Sequence, residues 1–479
     1  MSDSISARRV RELVGTLSGK PVYASLAHAL TLLIGDGQIP VGVRLPSERE
    51  LMQALDLSRT TVSRAYASLR DLGYAYAHTG SGTFTSLPGG RERVRDRVLM
   101  PKGAAANSID LNCAADSAAS DVMMAYTAAL SDLPAYLGGH GYFPSGLPVL
   151  QEAIAKTYQA RGLATDPQQI IVTPGALTAF SVVVRALLSR RGTALIESPT
   201  YPNAAEMLRA SGITLHEAGV DSHGWDIEGI MKSVKQLRPD LVYLIPDFHN
   251  PTGAVMNGAQ REKLGRALHS QKTLTVVDET HQSLALDGQP MPAPFAASNP
   301  DCITLGSMSK AFWGGLRVGW IRAPHALVER LTHSRMSLDL GVPVAEQLAA
   351  TYLLNKGPVS ASHIERLRVQ RDALIALVTT HLPDWQFIRP TGGLALWCQL
   401  PHRGATALAA TLEESHVIIS PGPVFSPSGG LDTYVRLPWT RPVAELEQAV
   451  MRIAAAWNTG SHTVSLASPA RRRGRHPAI

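Results

Sequence analysis

The chain has 479 residues and a formal net charge of +6, with 45% hydrophobic and 18% charged residues. That length calls for two or more domains, and the composition excludes a disordered or collagen-like chain. No apolar run reaches the ~18–20 residues of a bilayer span and no secretory leader is recognisable; Cys113, Cys302 and Cys398 stand too far apart for a disulfide framework or a CxxC zinc site, so a reducing cytoplasm, no membrane and no metal are expected.

Residues up to about 86 read as short helices and one hairpin. Leu26, Ala29, Leu30 and Leu33 recur at helical spacing. Ser47 and Glu50 stand at capping-box spacing, so a second helix starts at Ser47 with Leu51, Ala54 and Leu55 on its apolar face. After a short break Ser58 caps a third helix. Its inner face is Val62, Ala65, Tyr66, Leu69 and Leu72, and Gly73 ends it. The outer face carries Arg59, Thr60, Ser63 and Arg64, hydrogen-bonders near a helix start that a DNA major groove accepts. Residues 74–78 and 83–85 flank Thr79-Gly80-Ser81-Gly82, a tight hairpin turn. The order is that of a winged helix-turn-helix, mainly α with a β-hairpin wing. The alternative is a small protein-interaction domain with a solvated polar face.

The run RLPSERELMQALDLSRTTVSRAYASLRDLGY, followed by GSGTF, resembles the winged-helix domain of the GntR regulators over residues 20–86. The resemblance implies DNA contacts from Arg44, Arg49, Arg59, Thr60, Ser63, Arg64 and Gly80. Residues 1–88 carry only 9 Lys and Arg against 7 Asp and Glu. Binding would therefore rest on placed contacts and on doubling by dimerisation, not on a broad basic field.

Residues 87–107 combine Pro, Gly and alternating charge and read as a linker. As a flexible coil they would span on the order of 25 Å. Residues 459–479 read as a disordered basic tail whose Arg471, Arg472, Arg473 and Arg475 form either a solvated end or a DNA contact.

Between them, from 108 to 458, short apolar runs alternate with amphipathic helices. IIVTP, TALIESP, LVYLIP, TLTVVDE and CITLGS each end in polar, Gly or Pro residues, the pattern of an α/β fold with a mostly parallel sheet. Chemistry collects at those ends. Lys310 follows a strand in Gly306-Ser307-Met308-Ser309-Lys310, with Arg317 soon after. A lysine beside hydroxyls and a fixed cation can form an imine next to a bound phosphate. Thr173-Pro174-Gly175-Ala176 opens a helix whose N-terminus can receive that phosphate. Asn250, in His249-Asn250-Pro251-Thr252-Gly253, can bond a phenolic oxygen, and Asp278 needs a positive partner such as a protonated pyridine nitrogen.

This order resembles the fold-type I aminotransferases. The resemblance implies pyridoxal 5′-phosphate bound covalently at Lys310, the catalytic residue. It places Asp278 on the pyridine nitrogen and Asn250 on the ring oxygen. Gly175, Ala176, Ser307, Ser309 and Arg317 would hold the phosphate, Tyr201 would stack on the ring, and Tyr142 would reach the phosphate of a neighbouring subunit. Arg436 would take the carboxylate of a substrate or effector; the alternative is a strand arginine paired with an acid. The relatives usually carry a tyrosine shortly after the aspartate, where this chain has Glu279, Thr280 and His281. Its loss changes the electronic tuning of the cofactor and weakens a claim of efficient transamination.

A GntR-like winged helix joined to an aminotransferase-like body is the plan of the MocR family of bacterial regulators. The expectation is a homodimeric, cytoplasmic transcription regulator that binds a double-stranded operator and senses an amine, an amino acid or the cofactor itself. The rival expectation is a working aminotransferase that carries a DNA-binding head.

Overall fold

A computed structural model describes residues 4–86 and 108–464, apart from 18, 36–38, 40–41, 79, 120, 222 and the side chains of 460–464. The predicted linker and the Arg471–Arg475 cluster lie outside the described residues.

The head contains α1 (Ala7–Val14), α2 (Val22–Gly35), α3 (Glu48–Leu55) and α4 (Arg59–Asp71), then β1 (Ala75–His78) and β2 (Gly82–Thr85). Ser47 and Glu50 form the reciprocal capping box: Glu50 N–H donates to Ser47 Oγ at 3.3 Å and Ser47 N–H to Glu50 Oε2 at 2.8 Å. Ser58 Oγ accepts from Thr61 N–H at 3.1 Å and starts α4. Leu26, Leu30, Leu51, Val62, Ala65, Tyr66 and Leu69 are buried in one core, and the Tyr66 hydroxyl donates to the Pro46 carbonyl at 2.8 Å. β1 and β2 pair antiparallel, Ala75 opposite Thr85 and His78 opposite Gly82.

Two details differ from the sequence expectation. Helix α1, capped by Ser6, buries Val10 and packs on α2 and α3, so the head begins ahead of residue 20. Leu72, read as part of the inner face, is 56% exposed. It is the C-cap residue of α4, and helical periodicity ceases to place a side chain once the helix has stopped.

The body begins with β3 (Ile109–Asp110), α5 (Asp121–Asp132) and α6 (Pro148–Ala160). There follow β4 (Ile170–Thr173), α7 (Ala176–Leu187), β5 (Thr193–Ser198), α8 (Pro202–Ala210), β6 (Thr214–Asp221), β7 (Gly224–Trp225), α9 (Ile227–Leu237), β8 (Leu241–Leu244), α10 (Gly258–Ser270), β9 (Thr275–Asp278), β10 (Ile303–Ser307) and β11 (Gly319–Arg322). The chain closes with α11 (His325–Met336), α12 (Val344–Lys356), α13 (Ala361–His381), β12 (Ala395–Gln399), α14 (Ala405–Glu414), β13 (Val417–Ile418), β14 (Ser420–Pro421), β15 (Tyr434–Pro438) and α15 (Val443–Val464). Helix α15 runs six residues past 458, so the expected disordered tail does not begin at 459.

Eight strands form the main sheet in the order β4-β11-β10-β9-β8-β5-β6-β7. Strands β10, β9, β8, β5 and β6 are mutually parallel; β11 runs antiparallel to both β10 and β4. The strands β4, β8 and β9 are buried along their whole length, as two-sided cover by helices requires. The C-terminal ends of β4, β5, β8, β9 and β10 therefore share one edge. The reversed β11 begins there, because Gly319 pairs with both Thr173 and Ser307. A smaller antiparallel sheet, β12-β15-β14, packs with α13, α14 and α15 around a second core that includes Leu396, Leu437 and Trp439.

Among the described residues, head and body meet at a hydrogen bond. Thr406 Oγ1, in the first turn of α14, donates to the carbonyl of Gly35 at the end of α2, at 2.8 Å. Asp432 holds Thr406 in place: its Oδ1 accepts from Thr406 N–H at 2.7 Å and from the Thr406 hydroxyl at 2.5 Å, so the hydroxyl proton is shared between Asp432 and Gly35. Burial, with Asp432 nearby, pushes the Tyr74 phenol up to about 12. Among the described residues no helix is long and apolar enough to cross a membrane.

Candidate functional site

A cavity of about 390 Å³ opens at the shared strand edge. Lys310, Asp278, Asn250, Tyr201, Gly175, Ala176, Ser307, Ser309, Arg317 and Arg436 all line it. They come from five separate strand ends and the small sheet, so only the sheet topology could gather them. Tyr142 does not line the cavity of its own chain. It is 55% exposed and stacks on His140 at 5.8 Å.

Local structure sets each group. Gly175 is the N-cap of α7 with φ 93°, and a Cβ there would stand 3.0 Å from Arg317 Nη2. No side chain caps this helix, so its first N–H groups and the positive end of its dipole face the cavity as an anion site. Arg317 donates to the Pro174 carbonyl at 2.6 Å. Ser309 N–H donates to Ser307 Oγ at 3.1 Å. Together these place a cationic group and two hydroxyls beside the helix end.

The ε-amine of Lys310 donates to the Ala114 carbonyl at 2.7 Å. Burial lowers its pKa, with Arg436 acting the same way and Asp278 opposing. A lowered amine pKa increases the neutral, nucleophilic fraction. Asp278 Oδ2 accepts from the Tyr243 hydroxyl at 2.8 Å and Oδ1 from Thr280 N–H at 2.9 Å. Burial raises the pKa of Asp278, and the bonds from Thr280 and Tyr243 oppose that rise. Burial next to Asp278 pushes the Tyr201 phenol up to about 12. A cationic ring nitrogen is the partner this buried carboxylate calls for.

Arg436 is 1% exposed, and burial brings its pKa down to about 10. It donates to Asn250 Oδ1 at 3.0 Å and to the Asn112 carbonyl, and its guanidinium lies 4.9 Å from the Phe425 ring centroid. Its Nε has no hydrogen-bond partner among the described residues. Since Asn250 accepts from Arg436 through its oxygen, its amide N–H groups remain for another acceptor. Behind it, Glu197 accepts from Trp225 Nε1 at 2.5 Å and from Ile245 N–H at 2.9 Å, with His249 Nε2 at 3.3 Å.

His281 lines the same cavity. Burial, with Lys310, Arg436 and His249 around it, pushes its pKa down to about 3, and its Nδ1 has no partner among the described residues. The ring is therefore neutral at ordinary pH. Tyr243 and the segment Asn112, Cys113 and Ala114 also line the cavity and were not singled out from sequence. Tyr243 carried one usable signal: a phenol in an aliphatic buried strand needs an acceptor.

In the head, Arg44, Arg49, Arg59, Thr60, Arg64 and Gly80 are exposed and Ser63 is half-buried. Arg59, Thr60, Ser63 and Arg64 occupy the α4 face opposite its buried residues. Arg64 stacks on the Tyr23 ring at 4.3 Å, and Arg59 Nε stands 4.0 Å from Glu48. The backbone of Arg44 bridges Phe84, which ties it to the wing.

Residues 112–453 match the family model described as "Aminotransferase class I and II", and residues 22–85 match "Bacterial regulatory proteins, gntR family". The chain belongs to the class I and II aminotransferase family. With the GntR segment ahead of it, it has the MocR-family arrangement. The HTH-type transcriptional regulator YdfD of Bacillus subtilis (strain 168) is 25% identical over 448 residues, 87% of this chain and 92% of that one. The "Probable rhizopine catabolism regulatory protein MocR" of Rhizobium meliloti is 26% identical over 398 residues, 76% of this chain and 78% of that one. The crystal structure of LysN, the α-aminoadipate aminotransferase of Thermus thermophilus complexed with N-(5′-phosphopyridoxyl)-L-leucine, superposes with a TM-score of 0.68 at 25% identity, covering 74% of this chain and 94% of that one. The MocR-type body thus keeps the fold-type I architecture, with its mostly parallel sheet.

Proposed function

We propose that this chain is a DNA-binding transcription regulator whose body holds pyridoxal 5′-phosphate and senses an amine or amino acid. The observation that carries it is the assembly, in one cavity, of a buried lysine, an uncapped helix N-terminus and a buried carboxylate, in a chain that also carries a winged helix.

The residues fit the group. The α7 N-terminus, Ser307, Ser309 and Arg317 would hold its phosphate, Asp278 its ring nitrogen, Asn250 its ring oxygen, Tyr201 its face, and Lys310 its aldehyde carbon. When bound, the cofactor supplies an electrophile that an amine can capture. Arg436, with Nε open, would take the carboxylate of an amino-acid effector. An effector changes DNA binding only by its differential affinity for two body states.

A homodimer completes this reading. Met123 and Leu130 on α5 and Leu137 beyond it are 75%, 60% and 69% exposed, close in sequence to the outward-facing Tyr142. Such an apolar surface suits a second copy of the chain, which would present two heads to two half-sites.

The complete cavity also supports a second reading, an active aminotransferase. One experiment separates them: purified protein is mixed with candidate amino acids while absorbance, keto-acid release and operator affinity are followed. A stable spectral change with altered DNA affinity supports the sensor. Steady keto-acid turnover without altered DNA affinity supports the enzyme.

A further inference from the structure

Asp278 ends β9 and Glu279 is the next residue, and the two line different cavities. Asp278 faces the cavity already described. Glu279 lines a second one, of about 550 Å³, an open pocket bordered by α6, the segment after β9, residues 306–312 and the C-terminal end of α12. Thr280 and Ser307 line both cavities, so they form the partition between them.

The second cavity is larger than the voids a packed interior leaves and falls in the range of ligand pockets. Its wall is mainly apolar, with Tyr158, Met291, Phe312 and Trp320 supplying large surfaces. Glu279 is only 3% exposed. Its Oε2 accepts from Arg161 Nη1 at 2.7 Å, while Oε1 has no hydrogen-bond partner among the described residues. A buried carboxylate oxygen without a donor is costly, and burial already raises the pKa of this group. At the rim stands the exposed Lys156. Arg161 is matched by Glu279, so Lys156 leaves the pocket a net positive charge.

We propose that this second cavity binds a small aromatic carboxylic acid bearing a hydroxyl or amino group. Its ring lies on the apolar wall, its acid group meets Lys156, and its donor satisfies Glu279 Oε1. Occupancy is felt in the first cavity through Thr280, whose N–H holds Asp278 at 2.9 Å. The inference is independent of the reading of the first cavity, because none of these ligand contacts involves Lys310 or Arg436.

The test is isothermal titration calorimetry of the full chain with 4-hydroxyphenylacetate, run with and without added pyridoxal 5′-phosphate. Saturable heat with one site per chain is expected in both cases. Lys156→Glu, a surface change, should weaken binding about fivefold or more. Ser283→Trp, which puts bulk into the pocket, should abolish it; circular dichroism verifies that each variant is folded. No saturable heat in the wild type overturns the proposal, as does binding of equal strength in both folded variants.

Discussion

Lys310 and His281 show what burial does to a single side chain in this body. Lys310→Ala should abolish the absorbance near ~420 nm expected of the lysine-bound cofactor, and a variant that keeps the band would overturn the assignment. The His281 ring resists protonation down to about pH 3, whereas an unfolded histidine takes a proton near 6.5. Between those values the unfolded state binds more protons, so falling pH destabilises the fold by up to about 1.4 kcal/mol per unit. Asp278 and Glu279, both raised by burial, act in the opposite direction above their unfolded values. They are common to wild type and His281→Asn, so the difference between the two isolates the histidine. Denaturant titrations of both from pH 7 to 4 should show the wild type losing stability faster towards acid. Gly175→Ala should weaken cofactor binding by about 1–3 kcal/mol, because a φ of 93° strains any residue with a Cβ and that Cβ would push the Arg317 guanidinium aside; fluorescence titration of the apoprotein checks this.

At the scale of elements, the caps carry the argument. Ser47 and Ser58 were legible because a capping oxygen must sit at a fixed offset from the N–H it accepts, and both bonds are present. Ser58→Ala should cost about 1 kcal/mol of head stability, measured by the head's unfolding transition. Arg59→Ala should weaken specific operator binding by about 1–3 kcal/mol if it reads a base edge, and an unchanged footprint would show that α4 is not the reader. Helix α1 escaped notice because it is short, and most of its stability comes from packing Val10 on its neighbours. The strand ends were legible through their polar punctuation. The Tyr243–Asp278 bond was not, since the two residues lie on adjacent strands separated by a helix.

Across the whole molecule, two-domain organisation could be read from motif order, but the placement of the head could not. The Thr406–Gly35 bond joins residues 371 positions apart, and no local pattern encodes such a pairing. Thr406→Val should remove about 1 kcal/mol from that junction. Hydrogen exchange at the end of α2 should then quicken about fivefold while cofactor absorbance stays unchanged. Unaltered exchange would mean that the bond does not tie the two parts together.

Arg436 already grips Asn250, and this double duty has a consequence. A carboxylate that reaches beyond the open Nε to Nη1 would compete with the Asn250 amide oxygen for that N–H. Loosening that amide would disturb the side chain proposed above to bond the ring oxygen. The same arginine sits on β15 only four residues beyond Asp432, the anchor of Thr406 beneath the head. A carboxylate effector bound there, as proposed, would therefore act four residues away from the side chain that anchors the link between body and head.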